Sequence, residues 1–401
     1  MPSSKIKKIH LLDYSILVPY FVLSLIGLVM VYSSTGSNLI DAGANSMTSV
    51  IKQSLFWIVS LFLIFIVYRL KLTFLKNELV MLIVMLVEGV LLVLTRLFAQ
   101  VTNGAAGWLY IGNFSIQPAE YLKIILIWFL AFVFSRRQEN IAYDGMFALT
   151  NGKLKLTDWR VLTAIMILLV AIQPDMGNAV ILILITLVMV FASGINYRWA
   201  YFTTGFAVIF SVVFIKFVEI TNGKFIPRYI YARFNAFTNP FKDLQGDGLQ
   251  LANSYYAINN GGWFGRGLGN SIEKKGYLPE AHTDFIFSIV IEELGLLGGI
   301  LILVILIFLI LRIIQVGIRS YDPFNSMMAI GIGGMFLIQL FINLGGISGL
   351  IPSTGVTFPF LSQGGNNLLV LGVAVAFVLN ISASEKKERI LYNSGYLNSE
   401  Y

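Results

Sequence analysis

Three titratable side chains, Glu280, His282 and Asp284, fall within five residues, between a glycine-rich stretch and a long apolar run. A carboxylate at such a boundary is partly desolvated; desolvation raises its pKa and suits it to general-base chemistry near neutral pH. Asp284 is the strongest candidate base on that ground. It also has a purely structural reading: Thr283 or Asp284 is placed to cap a helix start, where an acidic group is stabilised by the helix dipole. His282 reads as a hydrogen-bonding neighbour rather than a metal ligand, because no partner ligands surround it. Upstream lie the cations Arg233 and Lys274, and five glycines between Gly261 and Gly269 leave bare backbone that suits a phosphate about as well as it suits a flexible turn. No strand precedes those glycines, so a dinucleotide-binding loop is excluded.

Other polar constellations interrupt apolar stretches. Gln117-Pro118-Ala119-Glu120 opens one of them, with Pro118 suited to a first helical turn, and Glu120 and Lys123 are spaced to pair on one helix face or to contact a ligand. Trp108, in the run from Asn103 to Gly112, is either part of that site or an interfacial aromatic. Gln173-Pro174-Asp175-Met176-Gly177-Asn178 reads as a tight turn carrying Asp175. The segment from Ile351 to Asn367, which includes Ser362, is broken by Gly and Pro, and non-helical backbone at membrane depth must be buried or line a cavity. On a helix continuing from Asp284, Glu292 and Glu293 would be rotated from it by about 80° and 180°, so they do not both share its face; pairing of one of them with a basic group in the bundle is the structural reading, and catalysis is not favoured for either.

The elements that hold these groups are membrane spans. Of 401 residues, 57% are hydrophobic and 12% charged, against roughly 25% charged in a soluble domain. There is no Cys and there are two His, His10 and His282, which excludes disulfides, Cys nucleophiles and Cys/His zinc sites. A span needs about 20 apolar residues, and about ten transmembrane helices are predicted near 14–34, 51–68, 78–95, 117–135, 159–174, 177–195, 198–220, 284–311, 325–350 and 366–383. The expected fold is therefore all-α and polytopic, a single domain over 1–401. With both termini cytoplasmic, 17 of the 28 Lys and Arg fall on the inner side, among them Lys5, Lys7, Lys8, Arg69, Lys71, Lys153, Lys155, Arg312 and Lys387. The net charge of +7 then reflects topology and anionic membrane lipid, not nucleic acid. This orientation places 221–283 outside as a large extracellular loop between the seventh and eighth spans, with seven basic against four acidic residues.

The sequence resembles the SEDS family (shape, elongation, division and sporulation) of peptidoglycan glycosyltransferases along nearly its whole length. The resemblance rests on Asn103-Gly104-Ala105 through Trp108 and Gly112, Gln117-Pro118-Ala119-Glu120 with Lys123, Gln173-Pro174-Asp175-Met176-Gly177, the Gly261–Gly269 run, Leu278-Pro279-Glu280-Ala281-His282-Thr283-Asp284, Glu292-Glu293-Leu294-Gly295, and Thr354-Gly355 through Gly364-Gly365. Leu12-Asp13-Tyr14 and Val31-Tyr32-Ser33-Ser34 look more like the division branch than the elongation branch. Two departures stand out: Gln363-Gly364-Gly365-Asn366-Asn367 replaces a family Tyr with two glycines and two serines, and Asp243-Leu244-Gln245-Gly246 replaces an Asp-Pro.

What the resemblance implies is polymerisation of lipid II with release of undecaprenyl diphosphate. Asp284 would act as base, with Trp108, Glu120, Lys123, Asp175, Arg233, Lys274, Glu280, His282 and Ser362 as supporting or substrate-binding residues. It further implies a multi-pass protein of the bacterial cell membrane, at the division septum, with its active site on the outer face. A class B penicillin-binding protein and other division proteins are the implied partners. No cofactor is evident and no metal ligands are assigned, although a divalent cation at the diphosphate is compatible with the chemistry. Two other readings are a lipid II flippase, which buried charges such as Glu88, Lys123, Glu292 and Glu293 would serve, and a non-catalytic division scaffold.

Overall fold

The structure is a computed structural model that describes residues 8–41, 47–99, 107–112, 114–137, 158–221 and 223–393. The Asn103–Ala106 part of one motif, and Lys5, Lys7, Lys153 and Lys155 of the charge count, lie outside the described residues. The described chain forms thirteen α-helices: α1 Tyr14–Asp41, α2 Met47–Arg69, α3 Leu72–Leu75, α4 Glu78–Phe98, α5 Pro118–Ser135, α6 Trp159–Ile172, α7 Met176–Ala192, α8 Tyr197–Thr221, α9 Arg228–Thr238, α10 Leu249–Gly261, α11 Ile286–Ile318, α12 Pro323–Ile347 and α13 Gly365–Asn393.

Eight of these are long and apolar enough to cross a membrane, and the two shorter apolar helices, α6 and α7, form the hairpin expected around Pro174. Each of the ten expected spans thus corresponds to a helix. One small addition to an all-α fold is a two-stranded antiparallel hairpin, β1 Leu109–Ile111 with β2 Phe114–Ile116.

Helices α5, α12 and α13 are the most enclosed, and they pack against α7, α11 and α2. Helix α5 carries apolar residues on every face and buries nearly all of them, as expected of a helix surrounded by other helices. Helix α8 is the opposite case, exposed along almost its whole length and touching α9. Gly372 of α13 approaches Ser60 of α2 so closely that a Cβ would overlap the serine hydroxyl, the small-residue packing that brings membrane helices together.

The long segment expected to be an external loop is largely ordered and contains two helices, α9 and α10, the latter lying along α11. Its sequence conceals them because α9, Arg228 to Thr238, mixes cations and aromatics with no apolar stripe of span length. Helix α11 is not continuous. At Gly295 the backbone turns to φ 75°, ψ 173°, and the helix resumes beyond it.

The glycine run docks on this break. Arg266 N and Gly267 N donate to the carbonyls of Glu292 (2.9 Å) and Glu293 (3.0 Å), and Leu296 N and Leu297 N donate to Gly262 O (2.9 Å) and Trp263 O (3.2 Å). A Cβ at Gly265 or Gly295 would land on backbone atoms of the other segment. Neither the phosphate-cradle nor the flexible-turn reading describes these glycines: their bare backbone satisfies the groups that a broken helix leaves unpaired.

Candidate active site

Asp284 does not cap α11. The N-cap is Phe285, without a side-chain cap bond, and the helix starts at Ile286. The Asp284 carboxylate accepts no hydrogen bond from the described residues, while its backbone is held firmly. Asn343 Nδ2 of α12 donates to Asp284 O at 2.7 Å and to Val356 O at 2.7 Å. Ser362 Oγ donates to Thr283 O at 2.6 Å and accepts from Phe358 N at 2.7 Å, and Gln363 N donates to His282 O at 2.9 Å. Below them Phe287 and Phe358 stack with centroids 4.5 Å apart. The non-helical 351–364 segment thus grips 282–285 and aims a half-buried carboxylate outward.

That carboxylate sits where two lobes of one depression meet. The larger, about 450 Å³, is walled by Arg233 and Tyr229 of α9, Asp247 and Leu251 beside α10, and Asn343 of α12. The smaller, about 250 Å³, is walled by Trp108, Gln117, Glu120, Asp175, Asn178 and Asn367. Tyr229, Arg233, Glu280, Asp284, Thr354 and Gly355 border both. Gly355, at φ 76°, lies between the key charges: a Cβ there would be 3.4 Å from Asp284 Oδ2 and 3.5 Å from Arg233 Nη2.

Burial first, and then the negative charge of Glu280, push the Asp284 carboxyl up to about 7, with Arg233 opposing them. Burial likewise lowers His282 below the ordinary imidazole range, against the pull of Glu280, so its ring is neutral at pH 7. Glu280 adopts φ 55°, rare for a residue with a side chain, and its carboxylate accepts from Thr283 Oγ1 at 2.7 Å.

Six of the ten sequence candidates, Trp108, Glu120, Asp175, Arg233, Glu280 and Asp284, border the depression. The other four do not. Lys123 lies beneath it, bonded to Glu120 Oε1 at 2.8 Å, which realises the helix-face pair expected from their spacing. Ser362 holds the Asp284 segment through the bonds above, and His282 is part of that segment, held by its backbone carbonyl. Lys274 is buried elsewhere, 2.6 Å from Glu293 Oε1 and 3.0 Å from Ser33 Oγ. Glu292 accepts from Ser271 Oγ and from Ile272 N at 2.9 Å. Both glutamates therefore anchor the external segment, as the pairing reading expected of one of them.

Asp175 caps α7, accepting from Asn178 N at 3.1 Å, and also accepts from Gln117 Nε2 at 3.0 Å, which ties two motifs together. Sequence reasoning missed Asn343, Tyr229 and Asp247. An amide inside an apolar span was the available signal for Asn343; Tyr229 and Asp247 gave none. Of the seven cations in 221–283, Arg233 alone lines the depression. Among the lining residues, Arg233 stands against Glu120, Asp175, Asp247, Glu280 and Asp284.

A bundle of ten apolar helices whose interrupted segments converge at one end on a desolvated carboxylate defines a polytopic membrane protein with a polar, two-lobed site at that end. The chain belongs to the cell cycle protein family that groups FtsW, RodA and SpoVE, whose family model matches residues 14–387. It is 46% identical over 414 residues to the probable peptidoglycan glycosyltransferase FtsW of Lactococcus lactis subsp. lactis, covering 98% of each chain. To the protein of the same description from Bacillus subtilis it is 37% identical, covering 94% of this chain and 93% of that one. Its fold matches a chain of a peptidoglycan synthase complex with a TM-score of 0.71 at 22% identity, over 93% of this chain and 98% of that one. It also matches the rod shape-determining protein RodA of Thermus thermophilus, with a TM-score of 0.62 at 21% identity over 93% and 97%.

Proposed function

We propose that this chain is a peptidoglycan glycosyltransferase that polymerises lipid II at the outer face of the bacterial membrane during septal wall synthesis, with Asp284 as general base. The relatives' descriptions support the activity. The observation that carries the residue assignment is the placement of one raised-pKa carboxylate where two lobes meet. A sugar-to-sugar transfer needs two saccharides side by side with a base between them, and that junction supplies the place.

Asp284 takes the proton of the acceptor GlcNAc 4-hydroxyl as its oxygen bonds to C1 of the donor MurNAc. The C1–O bond breaks on the opposite face with inversion, and undecaprenyl diphosphate leaves with the electron pair. Arg233 stabilises the developing negative charge. Among the described residues no three His, Asp or Glu side chains are grouped to hold a metal ion, and Asp175 and Glu280 already accept hydrogen bonds from Gln117, Asn178 and Thr283, so no step is assigned to a divalent cation. A class B penicillin-binding protein is the proposed partner, cross-linking the strands made here.

Purified chain, with and without that transpeptidase, is supplied with labelled lipid II in liposomes. Glycan strands that appear with wild type and vanish with Asp284→Asn support the assignment. Lipid II translocation without strands would establish the flippase reading instead.

A further inference from the structure

At the end of the bundle opposite Asp284, the chain builds a second polar cavity, of about 270 Å³. Its charged walls are Lys8 before α1, Arg69 and Lys71 at the end of α2, and Lys387 of α13. Among the described residues no carboxylate lines it, and none of the four cations has an ion-pair partner there. Of the acids nearby, Glu388 lies within electrostatic reach of Lys76 and Asp322, and Asp13 and Glu385 are engaged elsewhere. Asp13 accepts from Arg312 at 2.9 Å, Ser382 at 2.8 Å and Lys386 at 3.1 Å, and Glu385 takes Tyr321 N at 3.1 Å and Asn325 Nδ2 at 3.2 Å.

The Lys8 ammonium is fixed by neutral groups, Asn380 Oδ1 at 2.6 Å and Leu70 O at 3.4 Å. Burial and the charge of Lys387 both hold it below the usual lysine range, as expected where like charges converge without an anion. Cations at helix ends often only snorkel into the interface. Three separate segments converging on one hollow, with no acid among them, is a different arrangement.

A soluble anion would be satisfied by this charge, but the surroundings favour a lipid. Exposed Ile51, Leu55, Ile58, Phe62 and Phe65 form one stripe along α2 at alternating spacings of four and three, and Arg69 continues it into the cavity. That is a path for an acyl chain ending at a site for a phosphate.

We propose that this cavity binds the phosphodiester headgroup of an anionic phospholipid of the inner leaflet, with an acyl chain along the exposed face of α2. Arg69, Lys71 and Lys387 are exposed, so their replacement leaves the core intact. The test uses the full chain in detergent. Lipids retained in native mass spectrometry, and the thermal shift on adding lipid, are compared for phosphatidylglycerol, phosphatidylcholine and inorganic phosphate.

Wild type should retain and be stabilised by phosphatidylglycerol alone. The triple variant Arg69→Gln/Lys71→Gln/Lys387→Gln should lose this, by about fivefold in affinity for each cation removed, whereas Arg69→Lys/Lys387→Arg should keep it. Equal retention of phosphatidylglycerol by wild type and triple variant would overturn the proposal. So would stabilisation by inorganic phosphate that displaces the lipid, which would mark a soluble-anion site.

Discussion

The chemistry turns on one carboxylate whose ionised form the protein disfavours. With its pKa raised to about 7 by burial and Glu280, Asp284 is half-ionised near neutrality, the condition for an efficient general base. Polymerisation should therefore rise with pH through about 7. Glu280→Gln should move that limb to lower pH and Arg233→Gln to higher pH, because the first removes a cause of the shift and the second removes its opponent. Rate profiles from pH 5 to 9 check both directions.

The same shift has a stability consequence of opposite sign to the usual paired Asp. The unfolded carboxyl titrates near about 3.9, so stability falls as pH rises from there through about 7, where the folded group ionises. Asp284→Asn should melt a few degrees above wild type at pH 8 and level with it near pH 4, measured by thermal unfolding in detergent. A variant that melts lower at pH 8 would show that the carboxylate is held by contacts the structure does not contain.

At the scale of elements, two breaks in regular structure do the positioning. The Gly265 and Gly295 segments exchange backbone hydrogen bonds across the kink in α11, and either glycine as Ala would force a Cβ onto backbone. Each substitution should cost more than about 2 kcal/mol, seen as a lower Tm with lipid II turnover falling in parallel. Gly355→Ala differs: its φ of 76° and its place between Asp284 and Arg233 should impair turnover more than folding.

Lys274 gives a sharper division. As half of a buried pair with Glu293, its replacement by Met should destabilise by about 3–5 kcal/mol. If Lys274 met substrate instead, Lys274→Met would slow turnover and leave the Tm unchanged.

These elements show where sequence reasoning stopped. Asp284, Glu120 and Asp175 were legible because polar residues at the ends of apolar runs are costly unless used. The glycine run was left open between a phosphate cradle and a flexible turn because bare backbone offered to a phosphate and bare backbone offered to another chain segment have the same spacing. Lys274 was grouped with the site because a charge count over a loop cannot tell which cations turn inward to glutamates nineteen positions away. Asn343 escaped because its role is to hold another residue's backbone.

For the whole molecule, the ten spans were readable from hydropathy alone, since lipid forces backbone groups to pair within each helix. The helices within 221–283 were not, because α10 is held by packing along α11, a long-range contact with no signature in the local pattern, and α9 is too short and polar to read as a span. The absence of cysteine makes the topology directly testable. Phe264→Cys, beside the glycine run, should react with a membrane-impermeant maleimide in intact cells freed of outer barriers, and Tyr321→Cys, between α11 and α12, should react after permeabilisation. The reverse pattern would invert the proposed orientation and place the Asp284 depression on the wrong face for its substrate.

The central claim is that Asp284 removes the acceptor proton, and its most direct test is the polymerisation rate of labelled lipid II at pH 8 by wild type and Asp284→Asn, each with the partner transpeptidase and each confirmed folded by its melting curve. A loss of about 100-fold or more, with a Tm at or above that of wild type, is the predicted result. Wild-type rates from a folded Asp284→Asn protein would contradict it.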